Sequence, residues 1–426
     1  MQNNNSNQYQ LTDNNYIAAG SFGCVFSNTT NLKCNTSQNT PIHLSETKIA
    51  KILSKPNAEL ELKKYDKSLI KNHNTINSYN KDEKYFITKS SLCNPIDKLK
   101  LYNKKGACKL PIYDPVVIIY ENGGEDLFVY LSKISFDIDK IKKILHNLKN
   151  IIEGLKILHS NNIAHCDLKI NNIVIGKDDN NYRLIDFGTI NYTNLPLSEE
   201  IREEYGWAGD LIPYAPFAGL LLKEDPANIT EQDIDRIVQK YTYGEEILNL
   251  FKEGGQQKNK WYDITYLIKD SQNNKLLHLP SNKKLRTSRN SRTSRNYSSD
   301  NNNNNSLSYT SSKSDTSVTY STKIYSYVKN TLIDTRDNHW KENMTEIILK
   351  AMDIFGLGYI LFNVSQYIEE WVNKLSSDSK EKNDALKILE LLFLFIKDNN
   401  LLSIELEKIP KIDIVLSTYD IFLSKL

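Results

Sequence analysis

Asp167, Lys169, Asn172 and Asp186 fall within one short stretch, His165 to Gly188, of a 426-residue chain. Their types and spacing suit phosphoryl transfer from a metal-bound nucleotide. That reaction needs the triphosphate held, its charge neutralised by Mg²⁺ and an acceptor hydroxyl aligned with the γ-phosphorus, and it asks little covalent chemistry of the protein. Asp167 could orient the hydroxyl and accept its proton, and Lys169 could sit over the γ-phosphate. Asn172 and Asp186 offer the hard oxygen ligands that Mg²⁺ prefers.

These residues need elements to position them. Apolar residues at Ile141, Ile144, Leu145, Leu148, Ile151, Ile152, Leu155 and Leu158 keep a period near 3.6, which predicts an amphipathic helix over 139–159 leading into the stretch. Ile173–Ile175 and 182–185 read as strands around the turn-rich 177–181, so a hairpin separates Asn172 from Asp186. Upstream, two strands around Gly20 and Gly23 are expected over 16–26, a loop over 27–45, a strand at 49–53 and a helix over 57–69 with Leu62, Tyr65 and Leu69 on one face. Val116–Tyr120 is a continuous apolar run, the pattern of a buried strand, ended by Glu121-Asn122-Gly123-Gly124. Residues 218–270 read as largely helical, whereas 271–322 is dominated by Ser, Asn, Thr and Arg and cannot bury enough to fold. Helices are expected again at about 343–375 and 382–397.

Composition bounds the setting. The length suits two lobes, each with its own core. Five cysteines, Cys24, Cys34, Cys93, Cys108 and Cys166, are odd in number and scattered, which argues against a disulfide framework and a zinc site. The first residues lack an apolar signal core or an Arg-rich transit pattern. The apolar cluster 386–396 is interrupted by Lys387 and Glu390 and is too short to span a bilayer. An intracellular, cytoplasmic and soluble protein is expected, with no membrane partner. A net charge of +2 from 54 basic and 52 acidic residues gives no case for nucleic acid. Of the 54 basic residues only 8 are Arg, while Asn, Ile, Lys and Tyr abound, as in AT-rich genomes.

The ordered set of motifs resembles the eukaryotic-type protein kinases. His165-Cys166-Asp167-Leu168-Lys169-Ile170-Asn171-Asn172 is similar to the catalytic loop of that family, and Asp186-Phe187-Gly188 to its metal-binding motif. Ala18-Ala19-Gly20-Ser21-Phe22-Gly23-Cys24-Val25 looks like the glycine-rich loop that covers the phosphates, with Ala18 in place of the first glycine. The resemblance implies that Lys51 contacts the α- and β-phosphates and that a helix carboxylate pairs with it, Glu61 first and Glu59 second. It makes Tyr120 the gatekeeper and Glu121 and Asn122 the adenine-binding hinge, and lets Glu125 or Asp126 reach the ribose. Asp353-Ile354-Phe355-Gly356-Leu357-Gly358 is similar to the helix start that steadies the catalytic loop from beneath. His165 and Cys166 then read as core residues.

The implied fold is α+β and bilobal, with a small mainly β N-lobe carrying one helix and a larger mainly α C-lobe. The expected division is a disordered tail 1–14, an N-lobe 15–120, a hinge 121–126 and a C-lobe 127–426 with an insertion at 218–342. The implied activity is transfer of the ATP γ-phosphate to Ser or Thr hydroxyls of proteins, with Mg²⁺. Lys169 favours that acceptor class, since the family's tyrosine-specific members usually lack it.

Three departures qualify the likeness. Cys166 stands where many members carry an Arg that pairs with a phosphorylated loop, so activity without that phosphorylation is expected. Phe217, in Tyr214-Ala215-Pro216-Phe217, replaces a glutamate that forms a buried ion pair. Pro216 and Asp353 stand 137 positions apart (353 − 216), far more than is usual. Similar departures occur in kinases of large DNA viruses, in which case host cytoplasm or the virion would be the location. A small-molecule phosphotransferase of the aminoglycoside or choline kinase type and a pseudokinase scaffold are the alternatives.

Overall fold

The computed structural model describes residues 10–11, 16–19, 23–27, 33–35, 41–43, 48–65, 84–87, 89–95, 100–101, 114–176, 180–194, 344–377, 379–402 and 406–426, with isolated positions at 230, 232, 329–330 and 333. The chain divides into two compact units, Met1–Ala227 with Asn338–Leu426, and Asn228–Asp337. Every strand and helix named below belongs to the first. The expected helices of 218–270 and the polar segment 271–322 lie outside the described residues.

The N-lobe is built on a seven-stranded antiparallel sheet. In chain order its strands are β2 (Tyr16–Ala19), β3 (Gly23–Ser27), β4 (Lys33–Asn35), β5 (Pro41–His43), β6 (Lys48–Ser54), β7 (Lys89–Pro95) and β9 (Pro115–Glu121). Their spatial order is β2-β3-β6-β9-β7-β4-β5. Strands β6 and β9 form the centre, paired along their full length from Lys48↔Glu121 to Ser54↔Pro115. Ala50, Ile52 and Leu53 on one and Val117, Ile118 and Ile119 on the other are buried. The only helix described in this lobe, α1 (Lys55–Tyr65), starts directly from β6.

Three differences from the sequence reading arise here. The segment 27–45, expected as a loop, contains β4 and β5, short polar strands held by pairing to neighbours. Within the expected disordered tail 1–14, β1 (Gln10–Leu11) pairs in parallel with β8 (Lys100–Leu101). Cys24 is disulfide-bonded, which the cysteine spacing does not anticipate.

The C-lobe is helical. Asp126 caps α2 (Leu127–Lys133) by accepting from the Val129 amide, and Asp137 caps α3 (Ile138–Ser160) through the Lys140 amide. All eight apolar positions of the periodic stripe on α3 are buried. Each contributes roughly 1.5–3 kcal/mol by area, an upper bound for a compact unfolded chain. Strand β10 (Glu125–Asp126) pairs with β12 (Ile173–Ile175), and β12 pairs with β13 (Tyr182–Leu184). Strand β11 (Ile163–Ala164) pairs with β14 (Asn191–Tyr192).

Helix α4 (Met344–Val372) follows, then α5 (Lys380–Asp398) and α6 (Ile412–Leu423). By length and composition α4 could cross a membrane, but 78% of its apolar window is buried inside the protein. Helix α6 is fastened along α3 by Lys149–Asp420 at 2.6 Å, Lys156–Asp413 at 2.8 Å and the buried Tyr419 hydroxyl donating to the Leu145 carbonyl at 2.6 Å.

Close approach of α4 to the segment around Leu168 requires a glycine. A Cβ on Gly356 would lie 2.6 Å from the Leu168 carbonyl oxygen and 2.9 Å from its Cβ. Within a helix, Gly→Ala ordinarily stabilises by up to about 1 kcal/mol. At Gly356 the clash with backbone outweighs that gain, and Gly356→Ala is expected to lower stability by ~2 kcal/mol net. Urea denaturation checks this; a rise in stability would mean that the segment tolerates displacement.

Candidate active site

Beta-strand alternation places Lys51 on the face of the sheet opposite Ala50 and Ile52. Its ammonium meets two acids at once. It lies 3.0 Å from Glu61 Oε1, 2.9 Å from Glu61 Oε2 and 2.9 Å from Asp186 Oδ1. Glu61 is buried on α1, whereas Glu59, two residues back on the same helix, is exposed. Burial acts to lower the Lys51 pKa, but Asp186 and Glu61 together hold it well above the ordinary lysine value. Burial likewise acts to raise Asp186, yet the charge and hydrogen bond of Lys51 keep it below the usual carboxylate range. Removing one partner from such a group leaves an uncompensated charge, at a cost of about 3–5 kcal/mol where the site is buried.

Asp186 has φ 63° and ψ 66°, in the left-handed region. This conformation costs a non-glycine residue of order 1 kcal/mol. It turns the chain between β13 and a short 3₁₀ turn, Phe187–Thr189, so that Phe187 enters the core while Asp186 faces Lys51. Phe187 packs edge-on against Phe86 at 5.8 Å and beside the His165 ring at 5.2 Å. The His165 Nε2 donates to the Ile185 carbonyl at 3.0 Å and Nδ1 accepts from the Asp167 amide at 3.4 Å.

Asp167 is nearly buried, and its Oδ2 accepts from Lys169 Nζ at 2.7 Å and Asn172 Nδ2 at 2.9 Å. Asn172 Nδ2 also donates to the Asp167 carbonyl at 2.7 Å. Both amide hydrogens are thus spent on acceptors, which assigns the amide orientation and leaves Oδ1 as the atom that could ligate a cation. With Asp186 it forms a pair of hard oxygen donors, the number Mg²⁺ takes from protein when phosphates and water complete its shell. Among the described residues no three His, Cys, Asp or Glu side chains gather to hold an ion unaided. The residues present fit a cation that arrives with a phosphate ligand.

Beneath these groups lies Asp353, fully buried on α4. Its Oδ2 accepts from the His165 amide at 2.8 Å and from His159 Nε2 at 2.9 Å, and its Oδ1 from the Cys166 amide at 2.8 Å. Cys166 itself is buried with φ 64°, so its thiol is part of the core.

On the nucleobase side, the structure gives a short connection. Strand β9 ends at Glu121, whose side chain pairs with Lys48, and β10 begins at Glu125, which pairs with Lys133. Asn122 Oδ1 accepts from the Gly124 amide at 3.0 Å, and Gly124 has φ 100°. The Gly123 carbonyl accepts from Arg183 Nη2 at 3.1 Å. Asp126 is engaged as the α2 cap and Glu125 leans toward Lys133, so neither is held toward a sugar. Gly23 packs so closely on β6 that a Cβ would lie 2.4 Å from the Ile52 carbonyl. Ala18 pairs with Val25 across the hairpin, while Gly20, Ser21 and Phe22 lie outside the described residues.

Sequence reasoning missed Phe86, Arg183 and His159. Phe86 stands in Lys84–Ile87, where the Ile87 amide donates to the Leu184 carbonyl and the Tyr85 carbonyl accepts from the Leu184 amide, tying the segment beside β13. Its only sequence signal is an isolated Tyr-Phe-Ile run. His159 could have been suspected from its place at the end of the apolar stripe.

Comparison with known proteins follows the same residues. Positions 48–204 match the protein kinase domain family. Over 49 residues the chain is 43% identical to the membrane-associated tyrosine- and threonine-specific cdc2-inhibitory kinase of Drosophila melanogaster, covering 12% of this chain and 9% of that protein. It is 41% identical over 71 residues to a probable serine/threonine-protein kinase of fowlpox virus, covering 16% and 22%. A probable serine/threonine-protein kinase of Saccharomyces cerevisiae is 32% identical over 118 residues, covering 28% and 7%. The chain therefore spans less than a quarter of the length of each of these relatives.

The Lys51–Asp186 contact sets a pH dependence. The folded pKa of Asp186 lies below its unfolded value, so its contribution is complete above about pH 4 and is lost as pH falls through the folded value. In Lys51→Met the largest depressing charge is gone, and burial acts against only the weaker pulls of His165 and Lys169 on the carboxyl. Wild type should therefore lose stability more steeply between pH 5 and pH 3 than Lys51→Met, as read by urea denaturation at stepped pH. Equal slopes would contradict the pairing.

Proposed function

We propose that this chain, placed by its residues 48–204 in the eukaryotic-type protein kinase superfamily, transfers the ATP γ-phosphate to Ser or Thr hydroxyls of protein substrates in a Mg²⁺-dependent reaction. One observation carries the reading: Lys51 bridges Glu61 and Asp186 while Asp167, Lys169 and Asn172 share one hydrogen-bonded network.

ATP would supply the transferable phosphoryl group, and Mg²⁺ the neutralisation of its charge. The residues of the chain then have separable tasks. Lys51, held by Glu61, binds the phosphates from the N-lobe side. Asn172 and Asp186 would hold the cation through their oxygens. Asp167 orients the acceptor hydroxyl and takes its proton, and its Oδ2 is fixed by Lys169 and Asn172 so that the carboxylate need not search for its angle. Lys169, beside it, favours negative charge where the phosphoryl group passes. Glu121 and Asn122 offer backbone groups to the base, and Ala18, Gly20, Ser21, Phe22, Gly23 and Val25 would cover the phosphates.

The Ser/Thr preference rests on Lys169 and on the similarity to probable serine/threonine-protein kinases of yeast and fowlpox virus. We assign 15–120 to the N-lobe, 121–126 to the hinge and 127–426 to the C-lobe, with 218–342 as an insertion that bears on substrate choice. An intracellular location suits this chemistry.

The test is incubation of the full chain with γ-labelled ATP, Mg²⁺ and generic protein acceptors. Asp167→Asn is expected to lower transfer by about 10²–10⁴-fold, and the product should be acid-insoluble phosphoserine and phosphothreonine. Equal labelling by wild type and Asp167→Asn would refute catalysis. Acid-soluble labelled product would point instead to a small-molecule acceptor.

A further inference from the structure

We infer that the Tyr120 hydroxyl is a positioning group for phosphoryl transfer: it anchors Glu61 from the hinge strand, and through Glu61 it keeps Lys51 where it meets Asp186. The inference rests on the kinase reading above and adds to it a residue whose polar end has no assigned role.

Lys51 stands opposite Ile118 in the β6–β9 pairing, and Tyr120 is two residues further along β9. Two residues on a strand share a face, so Tyr120 and Lys51 project to the same side of the sheet. The Tyr120 ring packs against Leu53, Ala58 and Ile118. From there its hydroxyl donates to Glu61 Oε1 at 2.9 Å. Glu61 Oε1 therefore accepts from both Tyr120 and Lys51, while Oε2 faces Lys51 as well. Two donors from different strands fix the carboxylate in both direction and rotation.

The two donors differ in what a nucleotide does to them. Lys51 is a cation already shared between two carboxylates, and phosphates compete for it directly. The Tyr120 hydroxyl is neutral and half-buried, and it donates to a carboxylate of α1, so an anionic phosphate has no comparable claim on it. When Lys51 turns toward phosphate, Tyr120 is the contact that still holds Glu61, and with it α1, in place. This anchor draws on nothing outside the N-lobe. It is of a piece with Cys166, which brings no charge to receive a phosphorylated segment.

Tyr120→Phe keeps the ring and its packing and removes only the hydroxyl. The expected result is a fall in kcat of roughly tenfold, the scale of a hydrogen bond to a charged group, with KM for ATP changed less than threefold. A purely structural role would act whatever occupies position 61. In a Glu61→Ala background, Tyr120→Phe should therefore lower kcat no further, and full additivity would overturn the inference. Hydrogen exchange of the Lys55–Tyr65 amides in the intact protein separates this inference from the kinase reading. Exchange should be several-fold faster in Tyr120→Phe than in wild type, and unchanged exchange overturns the anchor. If wild type transfers no more label than Asp167→Asn, the kinase reading fails, and the exchange result still decides the anchor.

Discussion

Three donors converge on the carboxylate of Asp353: the amides of His165 and Cys166 and the ring of His159. Because Asp353 is fully buried, losing any of these bonds would leave part of a charge unsatisfied in a medium that cannot solvate it. Two of the donors are backbone groups immediately before Asp167, so the position of the Asp167 carboxylate is inherited from α4. Gly356, one turn further along α4, lets Leu168 rest directly on the helix backbone. The site thus has a rigid floor, although residues 228–337 form a compact unit of their own between its parts in sequence. A long intervening segment is tolerable because the closure cost of a loop grows only slowly with its length.

Lys51 is the complementary constraint from above. One ammonium serves a residue of α1 and the Asp186 turn, and it therefore couples sheet, helix and turn in a single arrangement. The left-handed backbone of Asp186 is maintained by Phe187, wedged between Phe86 and His165. The strain is small beside the burial of that ring, which is why the turn holds its form. These contacts form without a charge at position 166, whose thiol is buried.

Where burial enforces a period, the sequence was legible. The α3 stripe, the β12–β13 hairpin and the apolar run of β9 all follow from side-chain spacing, whereas the floor helix was singled out by the resemblance of Asp353–Gly358 to the helix start of the kinase family. Strands β4 and β5 were not legible, since Lys-Cys-Asn and Pro-Ile-His carry no alternation and owe their form to partners across the sheet. Residues 10–11 pair with a strand some ninety positions away, which no local pattern encodes. Residues 59 and 61 point to opposite sides of a helix, so the choice between them depended on its rotation, which residues beyond its observed end at Tyr65 could not report reliably. The Tyr120–Glu61 bond needed the register of β6 against β9 before it could be seen. Asp126 illustrates competition between roles: a carboxylate beside a helix start is claimed by the cap.

Among the described residues, these internal contacts hold the site without a phosphorylated group. The most direct test of this is the time course of γ-phosphate transfer by protein first stripped of phosphate with a phosphatase that is then removed. The account predicts transfer that is linear from the first turnovers, at the rate of untreated protein. Loss of activity on phosphatase treatment, with recovery only after a lag as the chain becomes phosphorylated again, would contradict it.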